Sequence, residues 1–255
     1  MTKPVEASPQ DQWKKASAVA AAALVESGMV VGLGTGSTAA FVVAELGRRA
    51  ADEGLRITGI PTSERTAELA RSLKIPLTTF AENSQIDLTI DGADEVELGS
   101  LYLVKGHGGA LLREKIVASA SKRMAVIADD TKLVKHLGTR QSVPVEVVPF
   151  GWEATERRLK ELGCTPKLRP AADGKPFVTD GGHYILDCTF GPIKDPKELA
   201  QHLDQIVGVV EHGLFLDLAW QVFVGGAAGV KILKKEPEAR TRKPVARGER
   251  RRFRK

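Results

Sequence analysis

Short apolar segments alternate with amphipathic segments over about the first 130 residues, and this alternation is the strongest constraint on the fold. Apolar runs occur near residues 29–33, 56–60, 86–90 and 124–128, and residues with helical periodicity separate them. Apolar strands linked by helices form a parallel sheet that is covered on both faces. The pattern therefore predicts an α/β protein with a Rossmann-like, mostly parallel sheet.

A second domain is predicted from about residue 143, where the pattern changes. Strands are expected at 145–148, 165–168, around Phe177, at 183–188 and at 208–210, with helices at 152–162 and 196–206. The order βαββαβ predicts an inserted ferredoxin-like α+β domain over 143–213. Strands at 216–224 and 229–233 would rejoin the first sheet, so residues 1–142 would be completed by 214–233.

The positive charge is concentrated at the end of the chain. Residues 234–255 contain 11 Lys and Arg against 3 Glu, so the rest of this +5 chain has a net charge of −3. We predict a disordered, solvated tail, with a weak contact to nucleic acid, an acidic partner or a membrane surface as the alternative. Elsewhere the sequence has no helix-turn-helix pattern or zinc-finger spacing, so nucleic acid is not an expected partner of the folded part.

Composition also bounds the location of the protein. No run approaches the roughly 18 apolar residues of a membrane span, and the N-terminal segment lacks the apolar core of a signal peptide. The two cysteines, Cys164 and Cys188, lack metal-ligand spacing and indicate free thiols in a reducing compartment. We therefore expect a cytoplasmic protein with no membrane contact through its folded part.

A glycine-rich loop follows the first predicted strand and precedes a helix. Its sequence is Gly32-Leu33-Gly34-Thr35-Gly36-Ser37-Thr38. The start of a helix offers free N–H groups and a positive dipole, and the hydroxyls add donors, so the loop is suited to phosphate. A dinucleotide fingerprint would need glycine at Ser37, and a Walker loop would need lysine after the last glycine. The alternative is a strand-to-helix turn that only requires glycine.

Two further segments place candidate catalytic residues directly after predicted strands. Asp91-Gly92-Ala93-Asp94 places paired carboxylates at the edge where ligands collect in open α/β sheets, although Asp-Gly alone is typical of a turn. Lys105 ends another strand, the turn Gly106-His107-Gly108-Gly109 follows, and Glu114 stands on the next helix. A charge-stabilising lysine and a carboxylate base could thus share a cavity. The alternative, from spacing alone, is that Glu114 is an exposed helix acid paired with a neighbour and that His107 is a loop imidazole with no functional role. Metal-ligand spacing is absent nearby.

Together the motifs resemble those of the ribose-5-phosphate isomerase type A family. They are, in the family's order, GLGTGST, IPTS, DGADE, KGHGGALLREKI, ADDTK, PVEVVPF and TDGGHYILD, within residues 10–233. The resemblance implies interconversion of D-ribose 5-phosphate and D-ribulose 5-phosphate in the pentose phosphate pathway, without a metal or organic cofactor. It also implies a Rossmann-like domain with a smaller α/β domain, and a homodimer or homotetramer.

The resemblance also assigns roles to individual residues. Glu114 matches the catalytic base, and Asp91, Asp94 and Lys105 match residues that bind the sugar hydroxyls, assist ring opening and stabilise the intermediate. The matching substrate-binding residues are Thr35, Gly36, Ser37, Thr38, Asp91, Gly92, Ala93, Asp94, Lys105, Gly106, His107, Gly108, Lys132 and Lys14. Lys15 could replace Lys14 if the register slips, and His107 stands in a turn that is all glycine in some members.

Three other functions compete with this interpretation. A sugar-phosphate sensor would bind without catalysis, but it would not need a base and a lysine at Glu114 and Lys105. A nicotinamide-dependent dehydrogenase is disfavoured by Ser37 at the third glycine position. An isomerase of another sugar phosphate would differ only in how one hydroxyl is placed.

Overall fold

The computed structural model describes residues 8–235. The helices are α1 (Pro9–Ala22), α2 (Ser37–Asp52), α3 (Glu64–Ser72), α4 (Leu111–Ser119), α5 (Trp152–Glu161) and α6 (Pro196–Asp204). The strands are β1 (Val30–Leu33), β2 (Thr58–Pro61), β3 (Leu88–Gly92), β4 (Glu95–Glu97), β5 (Leu103–Val104), β6 (Met124–Asp129), β7 (Leu133–Val134), β8 (Val143–Val147), β9 (Thr165–Leu168), β10 (Tyr184–Thr189), β11 (Val209–His212), β12 (Leu214–Phe215), β13 (Ala219–Gly226) and β14 (Gly229–Lys234).

The largest sheet has six strands in the order β14-β13-β6-β3-β1-β2. All neighbours pair in parallel except the β13–β14 hairpin. Alternate residues of β6 face opposite cores: Ala125 and Ile127 pack with residues of α1 and α2, whereas Met124 and Val126 share a cluster with Ala118 of α4. Burial on both faces explains why the strand is apolar throughout, and the predicted α/β class is confirmed.

A second sheet, of four antiparallel strands, has the order β11-β8-β10-β9. With α5 and α6 this is the strand order of a ferredoxin-like βαββαβ unit, and it encloses its own apolar core. The strand predicted around Phe177 is wrong. Phe177 lies in a connection between β9 and β10, where Pro176 and the Asp173-Gly174 turn interrupt an extended run.

A third sheet has the strand order β12-β5-β4-β7, and the sequence pattern did not predict it. Its strands are two or three residues long, too short for a periodic signal. The strand predicted at 216–224 begins later, because β13 starts at Ala219; Asp217, with a left-handed φ of 57°, lies between β12 and β13. This sheet matters for the site because β5 leads directly into Lys105, and the backbone N–H of Asp94 donates to the Val104 carbonyl.

Three expectations concern the tail, the domain boundaries and the membrane. The predicted disordered tail begins at residue 234 and lies, from residue 236, outside the described residues. The domain boundaries at 142/143 and 213/214 stay predictions. Between residues 8 and 235 no helix combines the length and apolar character that crossing a bilayer requires.

Candidate active site

One open cleft, with about 510 Å³ of space, lies beyond the carboxyl ends of the central strands. It is lined by thirteen of the residues singled out from the sequence: Lys14, Thr35, Gly36, Ser37, Thr38, Gly92, Ala93, Asp94, Lys105, Gly106, Gly108, Glu114 and Lys132. Asp91 lies buried behind this lining, and His107 stands at its edge in contact with Asp94. Residues separated by more than 100 positions thus converge, as expected at this edge of an open α/β sheet.

The glycine-rich loop forms the wall of the cleft at the start of α2. Gly36 precedes the helix with φ of 117°, a conformation that side-chain-bearing residues rarely adopt. Gly34 passes so close to Asp91 that an added Cβ would lie 2.2 Å from its Oδ1. The first turn of α2 carries no acidic side chain, so its N–H groups and dipole are available to an anion in the cleft.

Thr35 is held differently from the other hydroxyl residues of the loop. Its N–H donates to Asp91 Oδ1 at 3.0 Å, and its hydroxyl lies within hydrogen-bond distance of Thr62, Ser63 and Thr66 at 2.6, 2.8 and 3.2 Å. These groups of Thr35 therefore shape the loop rather than face a ligand, which leaves hydroxyl donation to Ser37 and Thr38. Sequence reasoning quoted the segment containing Thr62 and Ser63 but assigned no role to these hydroxyls.

Lys105, Asp91 and Glu114 form a buried triad of ionisable side chains at the base of the cleft. Lys105 Nζ lies 2.9 Å from Asp91 Oδ2 and 3.5 Å from Glu114 Oε1, and it donates to the Gly92 carbonyl at 2.6 Å. The three side chains are 2%, 0% and 3% exposed. Glu114 Oε2 has no hydrogen-bond partner within residues 8–235, and Asp91 Oδ2 has only its ion pair with Lys105, but Asp91 Oδ1 accepts two backbone N–H groups. Glu114 is therefore the carboxyl group better placed to hold a proton.

Burial determines the electrostatics of the triad. It raises the pKa of Glu114 to about 8, with Lys105 opposing the rise and Asp91 and Asp94 adding to it. Burial alone would lower the pKa of Lys105, but Asp91 and Glu114 outweigh that effect and raise it above its usual value. The lysine consequently stays charged while Glu114 titrates near neutrality.

Asp94 is oriented by the turn that follows Lys105. Both the backbone N–H and Nδ1 of His107 lie 3.0 Å from Asp94 Oδ2. Burial raises the pKa of Asp94, but these contacts with His107 outweigh it and lower the pKa below its ordinary value. Glu95, the third acid of the segment, instead caps the backbone of residues 138–141.

Two lysines reach the cleft from different elements. Lys14 on α1 lines it with a side chain that is 16% exposed, whereas Lys15 is exposed and is not part of the lining. Lys132 lies in a one-turn helix that Asp129 caps. The structure thus favours Lys14 over Lys15 as the lysine that faces a ligand.

Within residues 8–235, one group has donor spacing for a metal ion, and it lies where the end of α6 meets β11 of the second sheet. It comprises Asp204, Glu211 and His212. His212 Nδ1 accepts the N–H of Leu214, and the ammonium of Lys115 hydrogen-bonds Glu211 and the His212 carbonyl. An ammonium already satisfies this group, so it is better explained as an ion-pair cluster than as a metal site.

A loop suited to an anion, a titratable buried carboxyl group and a charged lysine at one cleft are typical of an enzyme that moves protons on a small phosphorylated substrate. The family model for ribose 5-phosphate isomerase A (phosphoriboisomerase A) matches residues 58–229. Ribose-5-phosphate isomerase A of Synechococcus sp. (strain JA-3-3Ab) is 58% identical over 224 residues, which cover 88% of this chain and 97% of the relative.

Solved structures agree with this match. Ribose 5-phosphate isomerase A from Methanocaldococcus jannaschii superposes with a TM-score of 0.85 at 43% identity, over 88% of this chain and 99% of that one. A D-ribose-5-phosphate isomerase in complex with phospho-erythronic acid gives a TM-score of 0.86 at 38% identity, with the same coverage. The chain belongs to the ribose 5-phosphate isomerase A family, as its motifs predicted.

Proposed function

We propose that this chain interconverts D-ribose 5-phosphate and D-ribulose 5-phosphate by proton transfer through an enediolate, with Glu114 as the base. The observation that carries the proposal is the buried Glu114 carboxyl group, with its pKa of about 8, beside the charged Lys105 in a cleft that also has an anion-binding loop. Family membership supports the same reaction.

In the open-chain aldose, the carboxylate of Glu114 removes the proton from C2. The C1 carbonyl takes up the electron pair, and an enediolate forms with its negative charge on oxygen. A proton passes from the C2 hydroxyl to the oxygen on C1, and Glu114 then delivers its proton to C1 to give the ketose. One carboxyl group can serve both steps because its pKa lies close to the working pH.

Lys105 and the turn after it stabilise the charge that develops between these steps. The Lys105 ammonium is anchored by Asp91 and the Gly92 carbonyl, so it needs little reorganisation during the reaction. The backbone of Gly106 and Gly108 lines the same cleft and supplies N–H donors. Asp94, which His107 keeps oriented, is placed to accept a hydrogen bond from a sugar hydroxyl and to assist ring opening.

The phosphate is proposed to bind away from the reacting carbons. The first turn of α2 with Ser37 and Thr38 would hold it, together with Lys14 and Lys132. Binding energy from this remote group would hold C1 and C2 in position beside Glu114.

The test is Glu114→Gln in the full-length protein. Turnover of ribose 5-phosphate, followed by ¹H NMR in D₂O through both ketose formation and deuterium exchange, should fall by about 10²- to 10⁴-fold because the base is lost. Binding of the phosphosugar should persist, since the substitution leaves the glycine-rich loop unchanged. Glu161→Gln, at a 60% exposed ion pair on α5, is the matched control and should keep full turnover. Near-normal turnover of Glu114→Gln would remove this residue from the role.

We further propose that the protein is a cytoplasmic homodimer or homotetramer. Phe150 and Val207 are 95% and 93% exposed. The N–H of Val148 donates to the Gly208 carbonyl, which brings the segments that carry these two side chains together. The unit around the second sheet thus presents exposed apolar side chains suited to contact with a second copy. Both cysteines are free and buried, which fits a reducing compartment. Sedimentation of the chain and of Phe150→Ser would test the assembly; a monomeric parent chain would contradict it.

A further inference from the structure

We propose that Arg169, from the second sheet's side of the molecule, is a positioning residue that orients the Gly106–Gly108 backbone toward the reacting atoms. The inference rests on the proposed function and assigns a task to a residue outside the cleft lining. Arg169 follows β9, more than 60 residues from the turn that it contacts.

The guanidinium of Arg169 is fixed in two directions at once. Nε and Nη2 donate to the two carboxylate oxygens of Asp187 at 2.9 and 2.6 Å, a bidentate pair that sets the plane of the group. The remaining nitrogen, Nη1, donates to the carbonyls of Gly106 and His107 at 2.9 and 3.2 Å. The Arg169 side chain is 12% exposed, so solvent does little to weaken these bonds.

Holding these two carbonyls decides where the next two N–H groups point. In a trans peptide the carbonyl and the following N–H lie on opposite sides. The N–H that follows the Gly106 carbonyl belongs to His107, and it donates to Asp94 Oδ2. The N–H that follows the His107 carbonyl belongs to Gly108, so trans geometry directs it away from Arg169, and Gly108 itself lines the cleft.

Arg169 therefore supports two functional elements through the backbone alone. It keeps one peptide group on Asp94, and it aims the other as a donor toward the position of the enediolate oxygen. Phe177, in the connection that begins at Arg169, packs its ring on Gly109 and holds the other end of the same turn. Because the phosphate loop belongs to residues 35–38, loss of Arg169 should affect the chemical step more than substrate binding.

The test compares Arg169→Ala, Arg169→Lys and Arg158→Ala in the full chain. Arg158 lies on α5, is 68% exposed and, within residues 8–235, has Glu161 as its ionic partner, so it is the matched control. We expect Arg169→Ala to lower kcat by about 10²-fold, as displacement of a catalytic group by 1 Å can do, with KM within about threefold of the parent value. Arg169→Lys should lose nearly as much, since a point charge cannot bridge Asp187 and two carbonyls.

Two readouts separate positioning from general stability. Low millimolar guanidinium chloride should restore part of the kcat of Arg169→Ala, whereas sodium chloride should not. Inhibition by phospho-erythronic acid, whose carboxylate resembles an enediolate, should weaken about tenfold in Arg169→Ala, while competition by inorganic phosphate stays unchanged. If Arg169→Ala does not fold, Arg169→Lys carries the kcat and inhibition measurements, and the guanidinium arm applies to Arg169→Ala alone.

Unchanged kcat in both Arg169 variants would overturn the proposal. Equal losses of phosphate and phospho-erythronic acid binding would also overturn it, as would a failure of guanidinium to restore any turnover. A parent chain that does not turn over ribose 5-phosphate would instead reject the proposed function, and the two binding measurements would still decide whether Arg169 orients the turn.

Discussion

The raised pKa of Glu114 predicts that Glu114→Gln, although it should lose most of its turnover, becomes progressively more stable than the parent protein as the pH rises. In the folded state burial raises this pKa from 4.5 to about 8. Between these values the folded state binds a proton that the unfolded chain has released, so the parent loses stability as the pH increases. The amide introduced by Glu114→Gln does not titrate, so the variant should be free of this loss.

The magnitude follows from the two pKa values. At 1.36 kcal/mol per pH unit, the interval from 4.5 to about 8 corresponds to an upper limit of about 5 kcal/mol, reached above pH 8. Near pH 4.5 the two proteins should be close in stability, because Glu114 is protonated in the folded parent. A difference of this size is a large fraction of the 5–15 kcal/mol typical of whole domains.

Urea unfolding of both proteins at intervals from pH 5 to pH 9 would measure the effect. The free energy of unfolding of the variant minus that of the parent should rise by several kcal/mol across the series. Glu161→Gln, at an exposed site, should show a flat difference. If the parent and Glu114→Gln differ by the same amount at pH 5 and pH 9, the buried carboxyl group is not the proton-binding group inferred here.

Three further predictions concern activity. Because the base acts in its ionised form and its pKa is about 8, kcat/KM should fall as the pH drops below 8; a profile that stays flat from pH 8 to pH 6 would contradict the assignment of Glu114. Thr66→Val removes the hydroxyl that donates to the Gly34 carbonyl and contacts Thr35. KM, measured by steady-state kinetics, should therefore rise severalfold, and the free energy of unfolding in urea should fall by about 1–2 kcal/mol. An unchanged KM would show that the loop keeps its shape without that hydroxyl. Turnover should persist after dialysis against EDTA, since Glu114, Lys105 and backbone donors carry the proposed chemistry; activity that disappears with the chelator and returns with a divalent ion would refute this.

Much of the candidate site could be predicted because its signals are local. The glycine loop and the Asp91–Asp94 segment stand at the carboxyl ends of β1 and β3, and parallel strands bring such positions to one edge. Lys105 also follows a short apolar strand, but β5 belongs to the third sheet. Where sequence reasoning failed, the signal was too short or non-local. The sheet containing β4, β5, β7 and β12 has strands too short for periodicity, and Arg169 stands in a segment that no nearby motif connects to the turn at 106–108.

The order of residues was enough to predict the fold class, the family and the residue types available for the reaction, because apolar periodicity and ordered motifs are properties of neighbouring residues. What those residues can do depends on the folded chain. Glu114 acquires its pKa because the packed fold removes it from water, and Thr35 turns its hydroxyl away from the cleft because Thr62 and Thr66 meet it there. Desolvation and hydrogen-bond geometry depend on contacts between distant segments, and these exist only once the chain has folded.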